Sequence, residues 1–260
     1  EWLKNIPVNE LVKRHALSKM KAKVEQLRAV LSFYGVSSVE AWHTIWDEPA
    51  VAARRSSCFE SCPSPASAWI RQGEIAAQAI QCAKFAKDKF QTAIHKIRKL
   101  TTHKPEMFTN KMQSICADAG VALVFIPEMK KAPWSGATKW LSPNKAMILL
   151  NLRGKTEDLF WFAFFHEASH VLHDNKKDLL INDGKLRQSD DRENRANKYA
   201  AEILIPIQFN SQIKAVRSRN EILTIAKNLG IAPGIVVGRY HFLTKKWEYF
   251  HDLQRKFAWA

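Results

Sequence analysis

The residues with the clearest chemical capacity stand in the run Phe164-Phe165-His166-Glu167-Ala168-Ser169-His170. Two histidines four apart lie on one face of an α-helix, so both imidazoles can reach a single ion. Zinc suits such a pair, because it accepts nitrogen ligands in tetrahedral geometry and a catalytic site takes three protein ligands plus water. Glu167 directly follows the first histidine, where its carboxylate can take a proton as water attacks a carbonyl. The chemistry implied is metal-assisted hydrolysis, with His166 and His170 on the metal and Glu167 as general base. The pattern fixes only three positions and arises by chance, so its surroundings must support it.

They do. The run Leu159-Phe160-Trp161-Phe162-Ala163-Phe164-Phe165 is apolar on every face, which predicts a buried helix over about 156–174. Burying unsatisfied polar groups costs on the order of several kcal/mol, so two histidines and a glutamate there call for a partner such as a metal. Thr156 before Glu157 and Asp158 gives that helix a capped, dipole-favoured start. A third ligand is expected from a second helix over about 190–205. There Ala196, Ala200 and Ala201 permit close approach, and Glu193 flanks the small-residue stripe as a carboxylate ligand would. Asp190 and Asp191 read as helix N-terminal carboxylates, and Glu202 as lying off the face.

Other polar residues carry weaker signals. His173 returns to nearly the face of His166 but about two turns, roughly 10 Å, further along, and reads as a supporting or surface residue. Tyr199 and His241 are candidate oxyanion stabilisers, since a tetrahedral intermediate needs a donor opposite the metal, although both are more often packing residues. His15, His43, His95, His103 and His251 have no partner pattern and receive no role.

The elements before the motif helix alternate differently. The apolar run 121–126 stops at Pro127 and predicts a short strand after a helix over 106–119. Segments 138–141 and 146–152 flank Ser142-Pro143-Asn144-Lys145 and predict an antiparallel hairpin, with further helices near 220–229 and 233–242. One hairpin strand is expected to offer an edge to an extended peptide, with Trp134-Ser135-Gly136 at the entrance. Residues 1–104 read as a helical connector or scaffold broken at Gly35 and around Cys62-Pro63-Ser64-Pro65, and 105–260 as a zinc metallopeptidase-like domain. The expected class is α+β: a small antiparallel sheet, a buried motif helix and crossing helices behind a helical unit.

Bulk properties set outer bounds. The chain has 260 residues, 46% of them hydrophobic, enough for a core with a satellite unit. Lys and Arg outnumber Asp and Glu by 40 to 25, and net +15 draws a chain to polyanions or acidic partners without specifying fold. Cys58, Cys62, Cys82 and Cys116 lack the paired two-residue spacing of a zinc ribbon and read as reduced thiols, which suggests a cytoplasmic setting. No run is long enough for a membrane span, and no membrane partner is expected. The start lacks both a signal sequence and an initiator methionine, so an upstream segment is expected to have been removed.

The sequence also resembles the ImmA/IrrE family of metallo-endopeptidases. The resemblance rests on Trp140-Leu141-Ser142-Pro143-Asn144-Lys145-Ala146, Phe162-Ala163-Phe164-Phe165-His166-Glu167-Ala168-Ser169-His170 and Glu193-Asn194-Arg195-Ala196-Asn197-Lys198-Tyr199-Ala200-Ala201-Glu202-Ile203-Leu204-Ile205-Pro206, extended by Ile231-Ala232-Pro233-Gly234-Ile235-Val236-Val237-Gly238-Arg239. It spans about 105–243. It implies a gluzincin-type zinc site of His166, His170 and Glu193, with Glu167 as base and a protein or peptide as substrate, a transcriptional repressor among the options. Many relatives carry an N-terminal phage-repressor-like helix-turn-helix and some accompany toxin genes, which implies DNA contact through such a module upstream. The alternative, motivated by the net charge of +15 and the cut start, is a transcriptional regulator or antitoxin whose zinc domain is a sensor or scaffold. One departure is Ser169, where relatives commonly have glycine; it is expected to leave the metal untouched and to narrow the cleft.

Overall fold

In the computed structural model, the described residues are 1–52, 63–130, 134–176, 180–182 and 191–259. Cys58, Cys62 and Asp190 lie outside them. The amino-terminal helices are α1 (Val8–Lys13), α2 (Lys23–Tyr34), α3 (Val39–Ala52), α4 (Pro63–Ala79), α5 (Lys87–Lys99) and α6 (Pro105–Asp118). Strands β1 (Val121–Phe125), β2 (Gly136–Ser142) and β3 (Lys145–Leu150) follow, then α7 (Glu157–His173) and β4 (Leu180–Asn182). The chain closes with α8 (Asp191–Leu204), α9 (Asn210–Ala215), α10 (Arg219–Leu229) and α11 (Pro233–Thr244). The fold is α+β, as expected from the change of period near residue 120.

The sheet is mixed rather than wholly antiparallel. Its order among the described residues is β1-β3-β2-β4, with β1 parallel to β3 and the other two pairs antiparallel. Both the end of β1 and the start of β2 lie level with Leu150, so the chain leaves β1 and enters β2 at the same end of the sheet. It passes over one strand position, and the tight β2–β3 turn folds β3 back into that gap. A strand returning between two antiparallel neighbours must run parallel to one of them. Of the two hairpin strands expected to offer an edge, neither is an edge strand: β3 lies between β1 and β2, and β2 lies between β3 and β4, which pairs with its first three residues. Strand β4, which pairs with the first three residues of β2, has no strong period or turn signal in the sequence.

Each face of the sheet has its own core, and β3 is apolar along its length because both of its faces are covered. On one face Ala122, Val124, Ala137, Met147 and Leu149 pack with Leu11, Val30, Trp42, Trp69 and Ile70 from the first helices. Gly73 allows the α4 backbone to come close, since a Cβ there would stand 2.7 Å from Leu149 Cδ2. On the other face Val121, Leu123, Ala146, Ile148 and Leu150 meet Trp161, Phe164 and Phe165 of α7. Helix α5, which precedes residue 104, packs in this second core through Phe90, Ile94 and Ile97. Its Arg98 also donates to the main-chain oxygens of Ile203 (2.6 Å), Leu204 (3.0 Å) and Leu229 (3.0 Å), closing the carboxyl end of α8.

The start of α7 is held differently from the capping pattern in the sequence. Thr156 occupies the N-cap position but its side chain makes no cap bond, and the first turn instead carries the carboxylates of Glu157 and Asp158. Glu157 is fully buried and pairs with Arg255 from the chain's end, whose guanidinium also donates to His103 O (2.7 Å) and Thr101 O (2.5 Å). Burial pushes the Glu157 carboxyl up and Arg255 counters it. Removing one member of such a pair strands the other, so Arg255→Met is expected to cost about 3 kcal/mol, the low end for buried pairs because the guanidinium is partly exposed. Glu157→Leu in the same chain should recover most of that loss. Urea unfolding curves check both, and an unchanged midpoint for the single variant would refute the assignment.

Candidate metal centre

Helices α7 and α8 cross where Ala196 and Ala200 are buried, and small side chains there bring the two backbones together. The crossing places Glu193 against the motif histidines. His166 Nε2 lies 3.1 Å from Glu193 Oε2, His170 Nε2 lies 3.4 Å from Glu193 Oε1, and the two Nε2 atoms are 3.0 Å apart. These three residues form a group whose ligand atoms all lie within 4.8 Å of one another.

The far side of each imidazole fixes what the near side can do. His170 Nδ1 is 2.5 Å from Asp174 Oδ2, and His166 Nδ1 is 3.0 Å from Asn197 Oδ1. A carboxylate and an amide oxygen only accept, so each Nδ1 carries the hydrogen and each neutral ring presents a lone pair at Nε2. Two lone pairs and a carboxylate aimed into one buried volume repel unless a cation sits among them, and this donor set fits a metal ion. Protons are the alternative occupants. Burial disfavours a charged His170, but Asp174 and Glu193 hold its imidazolium and raise it to about 10. Burial likewise works against ionised Glu193, and hydrogen bonds from His166 and His170 overturn this and hold it well below the usual carboxylate range. A metal entering here displaces protons.

Glu167 sits beside this group with no exposed surface. Thr138 of β2 donates to its Oε2 at 2.7 Å, and its Oε1 has no hydrogen-bond partner among the described residues. Gly136 makes room for it: a Cβ there would stand 2.6 Å from Oε1. Burial pushes the Glu167 carboxyl up, offset in part by His170, His166 and Thr138.

The remaining candidates lie elsewhere. The His173 ring reaches back to Ser169 O at 2.9 Å, and Ser169 Oγ meets His173 Nδ1 at 3.2 Å rather than facing Glu193. Tyr199 packs edge-on against His173 at 5.4 Å between ring centroids, and burial raises its hydroxyl to about 12. His241 is buried on α11 with Nε2 2.7 Å from Tyr249 O and its ring beside Trp247 and His251. The contacts of Tyr199 and His241 are thus with His173 and with Tyr249, Trp247 and His251 respectively. Asp191 and Glu202 are exposed and stand apart from it, Glu202 near Arg239. Asp174, Asn197 and Thr138 had no role in the sequence reading, although Asp174 follows His170, and Asn197 follows Glu193, by four residues.

No helix among the described residues is by itself long and apolar enough to cross a membrane. No curated protein matches the chain. Residues 116–240 match the family model described as the IrrE N-terminal-like domain of the M78 peptidases, a span that holds the sheet, both motif helices and all three ligand candidates. The chain thus carries a metallopeptidase domain of the ImmA/IrrE family.

Proposed function

We propose that the chain is a zinc-dependent endopeptidase that hydrolyses peptide bonds of a cytoplasmic protein, with a transcriptional repressor as the substrate class that the family resemblance suggests. The observation that carries this reading is Glu167 Oε1, a buried carboxylate oxygen without a hydrogen-bond partner among the described residues, beside a convergent two-histidine, one-carboxylate group. Zinc held by His166 Nε2, His170 Nε2 and Glu193 would supply Lewis acidity toward a peptide carbonyl and make water a better nucleophile.

The chain's own residues account for the proton. As the water oxygen bonds to the carbonyl carbon, Glu167 takes a water proton at Oε1. As the carbon–nitrogen bond breaks, Oε1 gives that proton to the departing amine. A carboxyl raised by burial holds a proton more readily than an exposed one, which suits this double duty. Thr138 occupies Oε2, which leaves Oε1 as the oxygen without a hydrogen-bond partner among the described residues. Asp174 and Asn197 orient the two imidazoles from behind. An extended substrate would find its strand partner on the side of β2 away from β3, where β4 pairs with Gly136, Ala137 and Thr138, since β3 is flanked by β1 and β2 and the Leu123 carbonyl of β1 already accepts from Gln113 Nε2 at 3.1 Å.

Metal analysis of purified protein tests the ligand set. Wild type and Glu167→Gln should hold one zinc per chain, whereas His166→Ala and Glu193→Ala should lose it, and Glu167→Gln should abolish cleavage while keeping the metal. Full zinc content in the two ligand variants would sink the site. The orienting residues give a graded result: Asp174→Asn and Asn197→Ala should each weaken zinc affinity about 10- to 100-fold in chelator competition. Affinities equal to wild type would show that the imidazoles need no support from behind.

A further inference from the structure

Helix α7 runs into Asp174, Asn175 and Lys176, and this turn is tied down at both ends. Asp174 is bonded to His170 and paired with Arg195 of α8. Lys176 Nζ donates to Pro143 O at 2.7 Å and lies over the Trp140 ring, 4.3 Å from its centroid, with Phe85 beyond at 5.5 Å. It is thereby fastened to the tip of the β2–β3 hairpin. Further on, β4 runs antiparallel along β2, with Leu180 opposite Thr138, Ile181 opposite Ala137 and Asn182 opposite Gly136. Thr138 and Gly136 of β2 both lie against Glu167. The chain's own β4 therefore fills the outer edge of β2 at the point nearest the base, which is the edge an extended peptide would need.

We propose that β4, latched through Lys176, is an autoinhibitory strap that occupies the substrate's place on β2 and must peel away before a protein chain can bind. This rests on the peptidase reading above. Three residue pairs make a short ladder, weak when alone. The latch is one exposed cation over an aromatic face plus one hydrogen bond. Strap and substrate compete for the same edge, so substrate affinity falls by the fraction of molecules in which the edge is open.

Two variants test this in the zinc-loaded protein. Lys176→Ala removes the latch at an exposed position, and Leu180→Pro puts a residue that strands tolerate poorly into β4 itself. Three quantities are read: amide hydrogen exchange at 136–138, anisotropy of fluorescently labelled casein in a Glu167→Gln background, and casein cleavage with Glu167 intact. Each variant should exchange about tenfold faster at 136–138 and bind casein about tenfold more tightly, with faster cleavage and unchanged zinc. Exchange unchanged in both variants would show that β4 does not guard the edge. Casein bound no more tightly despite faster exchange would overturn the strap and make β4 part of the substrate platform. Wild-type cleavage with no gain in either variant would defeat the strap and leave the peptidase standing. Tighter binding without cleavage in any form would keep the strap and defeat the peptidase reading.

Discussion

Three electron-rich groups are forced into one buried volume, and much of the rest of the molecule exists to hold them there. His166 Nε2, His170 Nε2 and the Glu193 carboxylate would repel one another in the absence of a cation or shared protons. Asp174 and Asn197 remove the freedom to relieve that repulsion by turning the rings, because each accepts the Nδ1 hydrogen on the far side. The close α7–α8 crossing at Ala196 and Ala200 fixes the separation, and Arg98 and Arg239 fix α8 from its other end by taking up its last carbonyls. Affinity for a metal is thus stored in packing some distance from the ligands themselves.

The sheet serves the same centre from the opposite side. Gly136 and Thr138 alternate with Ala137 and Lys139 along β2, so one pair faces Glu167 while the other faces the amino-terminal helices. Lys139 pairs with Glu74, itself held by Arg71 at 2.7 Å, and this ties α4 to the strand that supports the base. The first four helices therefore pack on the face of β2 opposite Glu167. Their aromatic cluster of Trp2, Tyr34, Trp42 and Trp46 backs this arrangement with ring centroids 5.3 to 6.4 Å apart.

The carboxyl-terminal segment closes the other end of α7. Arg255 pairs with Glu157 and also bonds main-chain oxygens just before α6, joining three distant stretches at the helix that carries the histidines. His241 belongs to this closure through Tyr249 and the neighbouring rings. Its burial is that of a packing residue.

The sequence alone determined the local parts. Histidines four apart on an apolar stretch can belong only to a buried helix with a ligand-bearing face, and helix bounds came within one or two residues because period and caps are short-range signals. Glu193 was also legible, since the alanines after it announce a helix crossing. What the tertiary structure decided depends on which distant segments meet. The parallel pairing of β1 with β3 follows from a connection that skips a strand position, and no residue pattern marks that. Asp174, Asn197 and Thr138 acquire roles only because three separate elements converge on the motif, whereas Tyr199 and His241, with suitable chemistry, point into other neighbourhoods. Strand β4 is the extreme case: three residues have no period of their own, and only the open edge of β2 makes them a strand.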